Sequence, residues 1–170
     1  MSLVCDIEGV DSNILDILEQ ERKHIESAYM TSEGSVTSDP AFLFKDVPLY
    51  NIPMDSTCIN QITNISGREL NTSKIRDLLG AGRVSNNVLY HRSALMDWHT
   101  NSNAKGKRIY LVYNYGNSIF RYIDPETGKM VDSVEPVGRW FMRRFEIPSN
   151  GKLWHTIASG DYRISYGFAL

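Results

Sequence analysis

The sequence predicts a single mainly-β domain, a sandwich or barrel braced by helices at its N-terminal end. Three observations lead there. A chain of 170 residues suits one domain, and at that length roughly two-thirds of the unfolded surface is buried without a disulfide. Helical periodicity is confined to residues 1–82, a mixed helical and extended support region. From residue 83 to 170, short extended runs alternate with turn sequences, the pattern of an all-β core.

The first element is a helix over about 12–29. Asp11 or Ser12 can cap it, because a short side-chain oxygen accepts an orphan backbone N–H. Ile14, Leu15, Leu18, Arg22 and Ile25 then recur at helical spacing, with Glu21 on the wetter side and His24 at the surface. Residues 31–40, TSEGSVTSDP, form a loop by composition. Ala41–Tyr50 suits short extended pieces, and Pro48 and Pro53 argue against a central strand. Thr72–Leu79 is a second helix, with Ile75, Leu78 and Leu79 on its apolar face and Gly80 and Gly82 ending it.

The extended runs follow: Val88–His91, Ala94–Trp98, Arg108–Tyr115, Ile119–Ile123, Arg139–Glu146, Lys152–His155 and Tyr162–Leu170. Asp124-Pro125-Glu126-Thr127-Gly128 and Pro148-Ser149-Asn150-Gly151 are turns, since Pro, Gly, Asp and Asn supply the dihedrals and side-chain caps that turns need.

Composition bounds the function. Hydrophobic residues make up 42% and charged residues 22%, with a net charge of -2. That balance gives no support for a nucleic-acid or anionic-membrane partner. The two cysteines, Cys5 and Cys58, have no CxxC spacing, so a thiolate zinc site is excluded and reduced thiols are the simpler reading. Asp6, Glu8 and Asp11 stand where a secretory signal would need a basic start and an apolar run. No apolar stretch is long enough for a membrane span. The expectation is a soluble, cytoplasmic protein.

Two histidines adjoin tryptophan in extended segments: Asp97-Trp98-His99-Thr100-Asn101 and Trp154-His155. Alternation along a strand would put Asp97, His99 and Asn101 on one face, and Arg163 and Ser165 on another. An arginine fork beside a hydroxyl is a clamp for a carboxylate. Each residue also has a plain reading: a buried His satisfied by a carbonyl, an Arg in an ion pair, and Trp98, Trp140 and Trp154 as core.

Taken in order, His99, His155 and Arg163-Ile164-Ser165 resemble the iron(II)/2-oxoglutarate-dependent oxygenases, especially the prolyl-hydroxylase-like branch, over roughly Val88 to Phe168. The resemblance implies a double-stranded β-helix, or jelly roll. It implies iron(II) held by His99 and His155, and 2-oxoglutarate anchored by Arg163 and Ser165. A tyrosine on the strand around Tyr110, Tyr113 and Tyr115 would touch the co-substrate, with Tyr113 or Tyr115 favoured. Tyr90, His91 and Trp98 are substrate-side candidates. The reaction implied is hydroxylation of a peptide side chain or small molecule, with release of succinate and carbon dioxide.

Asn101 departs from the pattern, which places a carboxylate there to complete a facial triad. Three readings follow. Asn101 ligates through its carbonyl oxygen or leaves the place to water; or Asp97 supplies the carboxylate; or iron binding is lost and a noncatalytic β-sandwich binding protein remains. A cupin-like metalloenzyme without 2-oxoglutarate is a further alternative, and it would need His91 as a third imidazole.

Overall fold

The computed structural model describes residues 4–44, 59–65, 71–101, 105–149 and 152–170. The extended pieces expected over 45–50, and Cys58, lie outside them.

The chain begins with strand β1 (Val4–Glu8) and helix α1 (Ser12–Tyr29). Asp11 caps the helix, its carboxylate accepting the Asn13 N–H at 2.9 Å. Ile14, Ile17, Leu18 and Ile25 are buried at helical spacing, and each such side chain contributes about 1.5–3 kcal/mol by leaving water. Glu21, expected on the wetter side, is buried with them. It accepts the backbone N–H of Asn71 at 3.2 Å at the start of helix α2 (Thr72–Leu79), so its carboxylate serves that helix's first turn. Leu15 and Arg22 are only partly buried, whereas His24 is exposed as expected.

A 3-10 helix (Pro40–Phe44) replaces the extended start expected at Ala41. The remaining strands are β2 (Ile59–Asn64), β3 (Arg83–His99), β4 (Gly106–Asn114), β5 (Ser118–Ile123), β6 (Met130–Val134), β7 (Trp140–Ile147), β8 (His155–Ser159) and β9 (Arg163–Ala169). All pairings are antiparallel, and the path runs β1-β7-β4-β9-β3-β8-β5-β6, with β2 also paired to β3.

Strand β3 curls this path into two facing layers. Its first half pairs with β9, ending at Tyr90↔Arg163, and its second half pairs with β8, beginning at Ala94↔Ser159. Between them Ser93 adopts a left-handed φ of 56°, a conformation few non-glycine residues hold without support. The Ser93 hydroxyl bonds the Ser35 carbonyl at 2.8 Å and lies 2.6 Å from the Thr37 hydroxyl, which fixes the bend. The result is the curled antiparallel sheet of a double-stranded β-helix with helices outside it, the jelly roll expected.

Each layer is covered on its outer face. Helix α1 packs Leu18 and Ile25 into a cluster with Leu111, Ile164, Tyr166 and Phe168. Phe44 covers Ile119 and Ala158 behind the other layer. Between the layers lies a third cluster, including Val88, Tyr90, Phe120, Phe145, Leu153 and Ile157. Strand β9 is buried at every position because both its faces are covered. No helix among the described residues is long and apolar enough to cross a membrane.

Candidate functional site

A cavity of about 270 Å³ opens between the two layers. Strand alternation sets its walls: Asn86 and Tyr90 come from β3, Tyr110 from β4, Phe120 from β5, Arg143 and Phe145 from β7, His155 and Ile157 from β8, and Arg163 and Ser165 from β9. Met96, His99, Thr100 and Asn101 complete it at the end of β3.

Met96 and His99 both reach the cavity although they are three residues apart. The register explains this: Met96 opposes Ile157 and His99 opposes His155, so β3 carries one residue more than β8 over this stretch. That is a β-bulge at Asp97–Trp98, and it reverses which face the following side chains take. The shared face expected for Asp97 and His99 is therefore broken. Asp97 and Trp98 are buried and do not line the cavity.

His99 and His155 sit directly opposite each other, their ring centroids 4.1 Å apart. His99 Nδ1 donates to the Asp97 carbonyl at 2.7 Å and His155 Nδ1 to the Leu153 carbonyl at 2.9 Å. A carbonyl only accepts, so each Nδ1 carries the proton and each Nε2 keeps its lone pair. Desolvation lowers the proton affinity of both rings; for His155 the neighbouring His99 and Arg143 lower it further, while for His99 the Asp97 carbonyl and charge partly oppose it. A lowered proton affinity favours the neutral imidazole, the form that binds metal.

Asn101 lies beside this pair, its Nδ2 at 3.2 Å from His155 Nε2. A left-handed φ of 49° turns it out of β3, a conformation asparagine tolerates better than most residues. A half-turn of the amide presents Oδ1 toward the same point. Among the described residues no group of three His, Cys, Asp or Glu side chains converges. The donor set here is two imidazoles and an amide.

Arg163 lines the cavity but is not free. Its Nε and Nη2 bond Glu135 Oε2 and Oε1 at 2.8 and 3.1 Å. Glu135, fully buried, also accepts from the Ser118 hydroxyl at 3.0 Å and from Arg143 Nη2 at 3.3 Å. Burial alone would raise the Glu135 carboxyl, but the Arg163 and Arg143 charges outweigh it and bring it down to about 2. Arg163 Nη1, Arg143 Nε and Asn86 Oδ1 remain buried with no hydrogen-bond partner among the described residues. Glu135 and Arg143 were not picked out from sequence. The available signal was the row Phe141, Arg143, Phe145, which puts an arginine on an apolar face.

Tyr113 and Tyr115 lie on the opposite face of the sheet from the cavity, against α1. The Arg22 guanidinium is 5.0 Å from the Tyr113 ring centre, and the Tyr115 hydroxyl donates to Glu26 at 2.7 Å. The β4 tyrosine that reaches the cavity is Tyr110, stacked on Phe145 at 5.2 Å. Of the substrate-side candidates, Tyr90 lines the cavity and its ring lies 4.8 Å under the Arg163 guanidinium. His91 is turned away from it, with Nε2 2.7 Å from the Thr63 hydroxyl, so the third imidazole of the cupin-like alternative is not brought to the cavity.

No protein-family model and no curated protein matches the sequence. Solved structures do match the fold. A Pseudomonas putida prolyl-4-hydroxylase superposes with a TM-score of 0.53, covering 99% of this chain and 93% of its own at 14% identity. A prolyl hydroxylase from Trichoplax adhaerens, solved with a hypoxia inducible factor oxygen degradation domain peptide fragment, gives a TM-score of 0.53 at 14% identity, covering 99% of this chain and 83% of its own. Likeness at this identity shows a shared double-stranded β-helix fold.

Proposed function

We propose that this chain is an iron(II)- and 2-oxoglutarate-dependent oxygenase that hydroxylates a peptide side chain or small molecule. One observation carries the reading. A single cavity holds two imidazoles whose Nε2 atoms keep their lone pairs, that of His155 facing the Asn101 amide nitrogen at 3.2 Å, and a buried guanidinium whose Nη1 has no partner among the described residues. A divalent metal fits the first group and a carboxylate the second.

His99 and His155 would hold the iron, with the Asn101 amide oxygen as a third, neutral ligand. Arg163 would receive the distal carboxylate of 2-oxoglutarate on Nη1, beside Ser165 and Tyr110. When bound, iron(II) and 2-oxoglutarate supply the oxidising chemistry that hydroxylates a C–H bond, the co-substrate leaving as succinate and carbon dioxide. The Leu153 and Asp97 carbonyls keep both imidazoles oriented for the metal. Phe120, Phe145 and Ile157 wall the site with apolar surface and limit water around the reacting atoms. Glu135 holds the Arg163 fork on one edge, so its remaining donors have a fixed direction.

The test is a titration of 2-oxoglutarate into the anaerobic, iron(II)-loaded protein, following the visible charge-transfer band of the chelate. A saturable band that Arg163→Met removes, with iron still retained, is the expected result. The amide at Asn101 favours a second reading, a noncatalytic binding protein on the same fold. Absence of both band and retained metal would establish that reading instead.

A further inference from the structure

Arg143 is not needed to anchor one co-substrate, and its position is costly. It sits in the inward row of β7 between Phe141 and Phe145, is 2% exposed, and lies 4.5 Å from the Phe120 ring centre. An apolar side chain would fit that row at no desolvation cost. Its pairing is weak: both Nη atoms reach the Ser133 hydroxyl at 3.2 Å, and Nη2 reaches Glu135 at 3.3 Å, while Glu135 gives its short contacts to Arg163. Arg143 Nε has no partner among the described residues.

Charge points the same way. Among the described residues that line the cavity or touch those arginines, Arg143 and Arg163 carry two positive charges and Glu135 one negative charge, which leaves one positive charge in excess. A metal held by His99, His155 and Asn101 gains no negative charge from its protein ligands. The two guanidiniums also face different walls, Arg163 over Tyr90 of β3 and Arg143 over Phe120 of β5. Phe120 in turn stacks on His155 with ring centroids 5.3 Å apart, so Arg143 is linked to the imidazole pair through one aromatic ring.

We infer that Arg143 forms a second anion subsite, distinct from that of Arg163, and that the cavity's substrate is a small molecule carrying its own carboxylate. At about 270 Å³ the cavity is small even for one ligand, so a substrate that shares it with 2-oxoglutarate must be small. This assignment of the substrate class rests on Arg163 being the partner of 2-oxoglutarate; the anion subsite itself does not.

The experiment uses the metal-free full chain and ligand-observed saturation-transfer NMR, with propionate as the anionic probe, propionamide as its neutral isostere, and 2-oxoglutarate as competitor. Propionate is expected to bind, propionamide not, and saturating 2-oxoglutarate should leave propionate bound. With 2-oxoglutarate saturating Arg163, Arg143→Met should weaken propionate by about tenfold or more, the loss of a charged hydrogen-bonding partner, while 2-oxoglutarate binding changes little. Arg143→Lys, which keeps the charge, should retain part of the affinity, and circular dichroism melting verifies that both variants fold. If 2-oxoglutarate displaces propionate and Arg163→Met abolishes both, there is one anion site and the inference is overturned, with the oxygenase reading intact. Propionate binding that depends on Arg143 but with no 2-oxoglutarate binding, with or without iron, would keep the subsite and remove the oxygenase reading. No propionate binding, or binding indifferent to Arg143, overturns the inference.

Discussion

His99 and His155 oppose each other across the β3–β8 ladder with their imidazole centroids 4.1 Å apart, and both rings are held by Nδ1–H bonds to backbone carbonyls two residues before them. Under the proposed function both rings would hold one divalent metal. His99→Ala and His155→Ala should each weaken Co(II) binding by more than about 100-fold, beyond what loss of an outer-shell partner costs. Calorimetry and the cobalt d–d bands read this directly. A His155→Ala protein that keeps wild-type cobalt affinity would move the metal site elsewhere.

Asn101 is the place where charge can be added without a new shape. Its left-handed φ of 49° is tolerated by aspartate as well as asparagine, and its amide already reaches to 3.2 Å from His155 Nε2. Asn101→Asp should raise divalent-metal affinity by on the order of tenfold or more, since a carboxylate replaces a neutral oxygen beside a dication. Competition against a metallochromic indicator measures it. Unchanged affinity would show that Asn101 does not reach the metal.

Much of the fold is legible in the sequence. Ile14, Leu18 and Ile25 announce α1, and the turn at 124–128 falls between β5 and β6. The site was less legible, for physical reasons. Tyr110 and Tyr113 have opposite parity on β4, but both faces of that strand are covered, so hydropathy does not say which one meets the cavity. The bulge at Asp97–Trp98 adds one residue and breaks the alternation that would have placed Asp97 beside His99. Arg143 and Arg144 are adjacent and chemically alike, yet one is buried and the other is exposed. Glu135 precedes Arg163 by 28 residues, and only the curl of the sheet joins them. Strands β1, β2 and β6 carry no clear signal in the sequence; β6 presents Met130 and Val134 to solvent, so it lacks an inward apolar row.

Gly167 leaves room for Asn86 and Tyr110, two residues that line the cavity. A Cβ there would lie 2.6 Å from both Asn86 Oδ1 and Ser85 Oγ, and 3.0 Å from the Tyr110 ring. The two polar side chains can swing aside, but Tyr110 is backed by Phe145 at 5.2 Å and has little room. Gly167→Ala should therefore cost about 1–3 kcal/mol of stability by overpacking and should weaken 2-oxoglutarate binding more than metal binding. Chemical denaturation and the two titrations separate these effects; equal losses of metal and 2-oxoglutarate would point to general unfolding.

Glu135 ties acid stability to the arginine pair. Its carboxyl titrates at about 2 in the folded protein against an ordinary value of 4.5, because the Arg163 and Arg143 charges overcome the effect of burial. A depressed carboxyl stabilises the fold fully above about pH 4.5, and this contribution is lost as pH falls toward 2, where the folded protein must also take up the proton. At pH 7, Glu135→Gln leaves two buried guanidiniums without a carboxylate and should cost about 3–5 kcal/mol. The gap between wild type and variant should then narrow steadily from pH 5 to pH 2, because the unfolded wild-type carboxyl takes up its proton below about 4.5 while the folded one stays charged until about 2. Urea unfolding at stepped pH measures both curves. A gap that stays constant across that range would mean that the ion pair is not what Glu135 contributes.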